Sequence, residues 1–239
     1  MNNKTDISKI LFIDIETVPV TDNYNNLSDD FKKFWDKKAA FLIKEEEQTP
    51  ENIFNRAGIY SEFGKIICIS AGYISDVKTK TFRIKSFYGD DEKQIISDFF
   101  NLLDKSYTKN KNYLCAHNGL EFDFPFIARR AVINNIKLAD MLNISATKRW
   151  ENKHFLDTME MWKFGDYKHY TSLDLLVHLF DIPTPKDDID GSQVADVYYK
   201  ENDLQRIVKY CEKDVIAIAR LYLRFNNLET IPEENIIYL

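Results

Sequence analysis

Hydrophobic positions along this chain follow two rhythms, and their order sets the expected architecture. Ile10 to Val20, ILFIDIETVPV, is an almost continuous apolar run with acidic residues near its end, the pattern of a buried strand. Lys65 to Ile74 reads as a second strand, and Thr81 to Tyr88 as a third that stops at Gly89-Asp90. From Asp91 to Leu103 the period becomes helical, with Ile95, Ile96, Phe99, Phe100 and Leu103 on one face. Tyr113 to Ala116 is a short strand ending at His117-Asn118-Gly119, and a helix is predicted from Phe124 through Ile133. Phe155 to Trp162 predicts one more strand.

The remainder reads as mostly helical. Thr171-Ser172-Leu173-Asp174 resembles a helix start, with Asp in place of the usual Glu. Pro183 and Pro185 break the chain, and Gly191-Ser192 opens a short helix through Tyr199. Asn202-Asp203 starts a long helix to Asn226, with Gln205 placed to cap back and an apolar face of Leu204, Val208, Cys211, Val215, Ile218 and Tyr222. Residues 21–60 are polar and charged, with a helix expected around Asp29 to Glu47, and read as an insertion or lid between the first two strands. The order predicts an α/β fold: antiparallel hairpins first, parallel crossovers after, in one domain over 1–239. Ligands in such sheets sit at the carboxyl ends of strands.

Composition narrows the picture. At 239 residues and 44% hydrophobic, the chain can bury a proper core. Its first ten residues lack the apolar stretch of a signal peptide, and no apolar run could span a bilayer, so a soluble cytoplasmic protein with no membrane partner is expected. Cys68, Cys115 and Cys211 form no CxxC pair and are read as core residues in a reducing compartment. A net charge of −6 argues against a tight nucleic-acid binder. It still suits an enzyme whose acidic pocket holds divalent cations, with weak, salt-sensitive substrate binding.

The acidic residues supply candidate chemistry. Asp14 and Glu16 are two apart on a strand and so share a face, where their repulsion is relieved either by solvent at a strand end or by a bound cation. Asp123 follows the strand that ends at His117-Asn118-Gly119, where it is open to capping the next helix or joining the other carboxylates. Tyr210 and Asp214 are four apart on the long helix and share a face. Each pattern alone is common. Together, four carboxylates that a mixed sheet can bring to one end match what hard divalent cations require. Two such cations can hold both the attacking and the leaving oxygen of a phosphodiester.

The segments FIDIET, NGLEFDFPF and YCEKD resemble the three exonuclease motifs of the DEDD superfamily, in the subgroup with tyrosine in the third motif. YKHYTSLDLL resembles a segment of the proofreading domains of family-B DNA polymerases. PKDDIDGSQVADVYY with the YCEKD helix is most similar to stand-alone bacterial proteins described as predicted 3′→5′ exonucleases related to that domain. The likeness covers nearly the whole chain except 21–60. It implies a ribonuclease H-like mixed sheet flanked by helices, two Mg2+ or Mn2+ ions, and release of nucleoside 5′-monophosphates from a nucleic-acid 3′ end. By the same resemblance, Asp14 bridges both ions, Glu16 and Asp214 complete one ion site, and Asp123 holds the second ion. Tyr210 orients the attacking water.

Secondary candidates follow, each with a plainer role beside it. Thr17 continues the first motif. Asn118 and Phe122 fall on second-motif positions that touch the terminal nucleotide in relatives, or serve turn and core. Lys186 could meet a phosphate, and Ser192 could do so or cap a helix. Lys168 and His169 face either the strand or solvent, and Asp157 is either a supporting carboxylate or a cap. The resemblance leans to single-stranded DNA. Two rivals remain open, an exoribonuclease and an inactive ribonuclease H-like binding module, although such modules usually lose a ligand carboxylate and this chain keeps all four.

Overall fold

The computed structural model describes residues 5–144, 152–166, 170–183 and 189–239. Its centre is a six-stranded mixed sheet in the order β5-β4-β1-β2-β3-β6. β1 (Ile10–Pro19), β2 (Gly64–Asp76) and β3 (Thr81–Tyr88) form an antiparallel meander. β4 (Tyr113–Ala116) and β5 (Phe155–Asp157) add to the other side of β1 in parallel. The expected order of hairpins and then parallel crossovers is therefore the one observed. β6 (Ile236–Tyr238) pairs in parallel with β3 and was not anticipated, since three residues at a sheet edge leave no readable alternation.

Side-chain alternation along β1 assigns the two helical layers. Leu11, Ile13 and Ile15 point into a core shared with α2 (Glu92–Ser106) and α3 (Asp123–Ile133). Ile10 and Phe12 point the other way, into a core shared with α7 (Leu204–Phe225). Even positions of β1, Asp14 and Glu16 among them, thus face the α7 side. α4 (Thr158–Lys163) and α5 (Leu173–Leu179) pack beside α7 on that face. α6 (Val194–Asp196) runs into a π-helical turn at Val197–Glu201 before α7 begins.

Local chemistry corrects several expected boundaries. Phe155 to Trp162 is not one strand: Asp157 accepts hydrogen bonds from the N–H groups of Met159 and Glu160, which caps α4 and ends β5. The long helix starts one residue later than a Gln205 cap requires. Asn202 is left-handed (φ 53°), Asp203 accepts from Arg206 N, and Gln205 has no capping role. Ser192 does not cap the short helix, whose N-cap position is held by Gln193. α5 begins where the sequence suggests but one residue later than a Thr171–Asp174 capping box requires: Ser172 is the cap, accepting from Leu175 N.

Residues 21–60 carry their own core. α1 (Asp29–Ala39) ends well before Glu47, so the acidic run Glu45-Glu46-Glu47 lies outside the helix in exposed turns. Trp35 is fully buried and meets Phe54 and Phe63 edge-on at 5.5 and 5.4 Å, and its indole N–H donates to Pro50 O at 2.7 Å. Leu27, Ala39, Ile53 and Ala57 complete this cluster. A buried ion pair ties its far end to the domain: Arg130 donates to both oxygens of Glu92 and to Ser61 O. Glu92 also accepts from Ile66 N and Asn134 Nδ2.

Candidate active site

β4 ends at Ala116 while β1 continues past it, so Asp14 and Glu16 stand beyond the carboxyl end of the parallel pair. The β1–β2 register shifts between Glu16 and Thr17, a bulge directly after the two acids. Glu16 is buried, whereas Asp14 is partly open to the cleft.

The loop after β4 brings the third carboxylate. Asn118 adopts a left-handed conformation (φ 62°), which asparagine tolerates. Gly119 permits the close turn, because a Cβ there would lie 2.5 Å from Ala116 Cβ and 3.0 Å from the Phe124 ring. Asp157 pins this loop from β5, accepting from Asn118 N and Leu120 N at 3.0 Å each. It is therefore cap and support at once, buried at the end of β5. Asp123 then opens α3, but the N-cap position belongs to Phe122, so the capping role considered for Asp123 does not apply. The Asp123 carboxyl is buried, and its Oδ1 has no hydrogen-bond partner.

α7 brings Tyr210, Cys211 and Asp214 against the same face. The Cys211 thiol donates to Asp14, 3.4 Å from both its carbonyl oxygen and Oδ2, and lies with Asp14 and Glu16 in one tight group of ligand atoms. Core packing, the role read for this cysteine, is only half of its setting. Cys68 and Cys115 are buried and, like Cys211, free.

Electrostatically the cluster crowds like charges together. Burial, followed by the charges of Asp214 and Asp123, pushes Asp14 well above the usual carboxylate range. Burial and then Asp14 and Asp214 do the same to Glu16. Asp123 rises to about 8, mainly through burial, although the N–H groups of Asp123 and Ile15 pull it back. The Tyr210 hydroxyl is pushed up by burial and by Asp214, Glu16 and Asp14, which keeps it protonated. A hard divalent cation fits this donor set: buried, mutually repelling carboxylates, one with an unpartnered oxygen.

These groups line one cleft of about 670 Å3, together with Thr17, Asn118, Phe122 and Ser192. Asn118 Oδ1 is buried there without a partner. Phe122 both packs on the α2–α3 core and borders the cleft. The Ser192 hydroxyl is engaged by Asp190 at 2.5 Å. Lys186, Lys168 and His169 lie outside the described residues. Sequence reasoning missed several groups on this wall, among them His117, which bridges Thr158 Oγ1 and Thr171 O; exposed Tyr170; Asp174; and Arg56 with Ile59 from the inserted segment. Among the described residues no helix is long and apolar enough to cross a membrane.

Comparison with known proteins bears on the family and the fold. The family described as "Predicted 3′-5′ exonuclease related to the exonuclease domain of PolB" matches residues 59–235, which include the second and third motifs and leave Asp14 and Glu16 outside. Among solved structures, the family B DNA polymerase of the hyperthermophilic archaeon Pyrobaculum calidifontis is similar over 90% of this chain, with a TM-score of 0.56 and 14% identity. The alignment spans 24% of that polymerase, so the likeness concerns the fold of one part of it.

Proposed function

This chain belongs to the family of predicted 3′-5′ exonucleases related to the exonuclease domain of PolB, and from that premise we propose that it removes nucleotides from the 3′ end of single-stranded DNA as one exonuclease domain of the tyrosine-containing DEDD type. The observation that carries this reading is the convergence of Asp14, Glu16, Asp123, Tyr210 and Asp214, from three separate segments, on one cleft. DNA is favoured over RNA because the similar fold belongs to a DNA polymerase. Three buried free thiols fit a reducing cytoplasm.

Asp14, Glu16, Asp123 and Asp214 would hold two divalent cations, Mg2+ or Mn2+, which supply positive charge at the scissile phosphate and ease formation of the nucleophile. The chain's own residues do the rest. Asp14 and Glu16 are held side by side by β1, and Asp123 is set by the loop that Asp157 pins. The protonated Tyr210 hydroxyl donates a hydrogen bond that orients the attacking water. Asn118 borders the space for the terminal nucleoside, and Phe122 offers it an aromatic face. Thr17 and Ser192 border the same space. The bond to the 3′ oxygen of the penultimate nucleotide breaks, and a nucleoside 5′-monophosphate leaves.

The test is a 5′-labelled single-stranded DNA oligomer incubated with Mg2+ or Mn2+, beside a matched RNA and beside Asp14→Ala. A ladder shortening from the 3′ end on DNA, lost in the variant by about 10³-fold, is expected. Cleavage that survives Asp14→Ala would place the chemistry elsewhere.

A further inference from the structure

A nucleic-acid strand entering the cleft meets an acidic wall. Its described lining includes Asp14, Glu16, Asp123, Asp174 and Asp214, against one guanidinium, that of Arg56. Cations held by the carboxylates would serve the reacting phosphate alone. Any further phosphate of the strand lies against the same negative surface unless the protein supplies a partner of its own.

Arg56 sits on the 3-10 turn Phe54–Ile59, outside the part of the chain matched by the exonuclease family, which begins at Ile59. The turn is firmly placed. Gly58 packs on β1 so closely that an added Cβ would lie 3.2 Å from the Val18 backbone and 3.3 Å from Pro19 Cδ. Behind it, Phe54 and Ala57 are buried against Trp35. Its distance from the two β1 carboxylates is thus fixed by contact with the strand that carries them. The side chains it presents to the cleft are not buried: Arg56 is exposed, with a long 3.4 Å hydrogen bond to Leu42 O, and Ile59 is 52% exposed.

We propose that the turn Phe54–Ile59 is a second strand-binding subsite, in which Arg56 takes a backbone phosphate away from the scissile bond and Ile59 packs on the adjoining nucleoside. Arginine suits this task because its fork pairs with phosphate oxygens, and an exposed aliphatic group next to it covers apolar nucleoside surface. The subsite reads chain length rather than base identity. It rests on the exonuclease reading above.

Kinetics on two substrates decide it: a single-stranded DNA oligomer, and the p-nitrophenyl ester of thymidine 5′-monophosphate, which has one phosphodiester and nothing further to reach the turn. Arg56→Ala should raise KM for the oligomer about fivefold, the strong end for an exposed charge pair, with a much smaller effect on kcat. The loss of kcat/KM on the oligomer should exceed that on the ester by the same factor, and Arg56→Lys should restore part of it. The salt dependence of oligomer binding, as log Kd against log salt, should fall by about 0.7. Equal effects on both substrates, or none on the oligomer, would overturn the subsite while leaving the exonuclease reading intact. If wild type cleaved neither substrate, that reading would fall instead, and fluorescence anisotropy of the labelled oligomer on wild type and Arg56→Ala would still decide whether Arg56 binds the strand.

Discussion

The carboxylate of Glu92 and the carboxylates gathered at the carboxyl ends of the central strands are treated in opposite ways. Glu92, on α2, has both oxygens filled by Arg130, Ile66 N and Asn134. Asp14, Glu16 and Asp123 face one another and Asp214, with the Cys211 thiol as a weak donor and one oxygen of Asp123 unpartnered. A buried charge must be neutralised somehow. In the first group the chain provides the neutralising cation itself. In the second, no lysine or arginine among the described residues bonds to Asp14, Glu16 or Asp123, an arrangement that fits the cation site proposed above.

Removing one partner from each group should sharpen the contrast. Arg130→Met leaves Glu92 buried without its cation, so unfolding free energy measured in urea should drop by about 3–5 kcal/mol. A loss below 1 kcal/mol would mean the pair is not a structural fixture. Tyr210→Phe removes a hydroxyl but no charge, so cleavage should slow by about 10²-fold while divalent-cation affinity, measured by calorimetry, stays within a few-fold. A large loss of affinity would show Tyr210 supporting the carboxylates rather than the water. Asp14→Asn removes a charge that repels its neighbours, so in EDTA the variant should be more stable than wild type by about 1 kcal/mol, although inactive. Lower stability in EDTA would contradict the strained cluster.

The same comparison gives a pH dependence. Carboxyls whose folded pKa is raised hold protons more tightly folded than unfolded, so they favour folding at low pH and lose that contribution as pH rises. Metal-free protein should therefore lose stability from about pH 4, the unfolded carboxyl range, to about 8, the position of Asp123. Excess Mg2+ or Mn2+ should reverse the slope over that window, because the cations bind the deprotonated form. Urea unfolding at a series of pH values with EDTA or with cation checks the sign, and a flat profile in EDTA would break the comparison.

Much of this was legible from spacing alone. Asp14 with Glu16 and Tyr210 with Asp214 obey local periods of two and four, and β3 and β4 fall on the expected residues. What spacing could not reveal depends on distant contacts. Asp157 supports Asn118 and Leu120 across the β4–β5 pair, and its cap cuts short a segment whose apolar residues read as strand. Cys211 touches Asp14 only because α7 packs on β1. Arg56 reaches the cleft through a turn packed on Val18, in a segment whose aromatic residues follow no single period.

The cluster around Trp35 also bears on how such chains diverge. Val20, Leu27, Trp35, Ile53, Phe54 and Phe63 bury one another within one stretch of sequence, and the segment leans on the sheet without helping to form it. Substitutions in its exposed loops lie outside the register that aligns Asp14 with Ser70 and Glu16 with Cys68. On the proposed reading, changes in this segment would alter which strands are held while the carboxylates keep their places, so that substrate choice and bond cleavage are carried by separate parts of the chain.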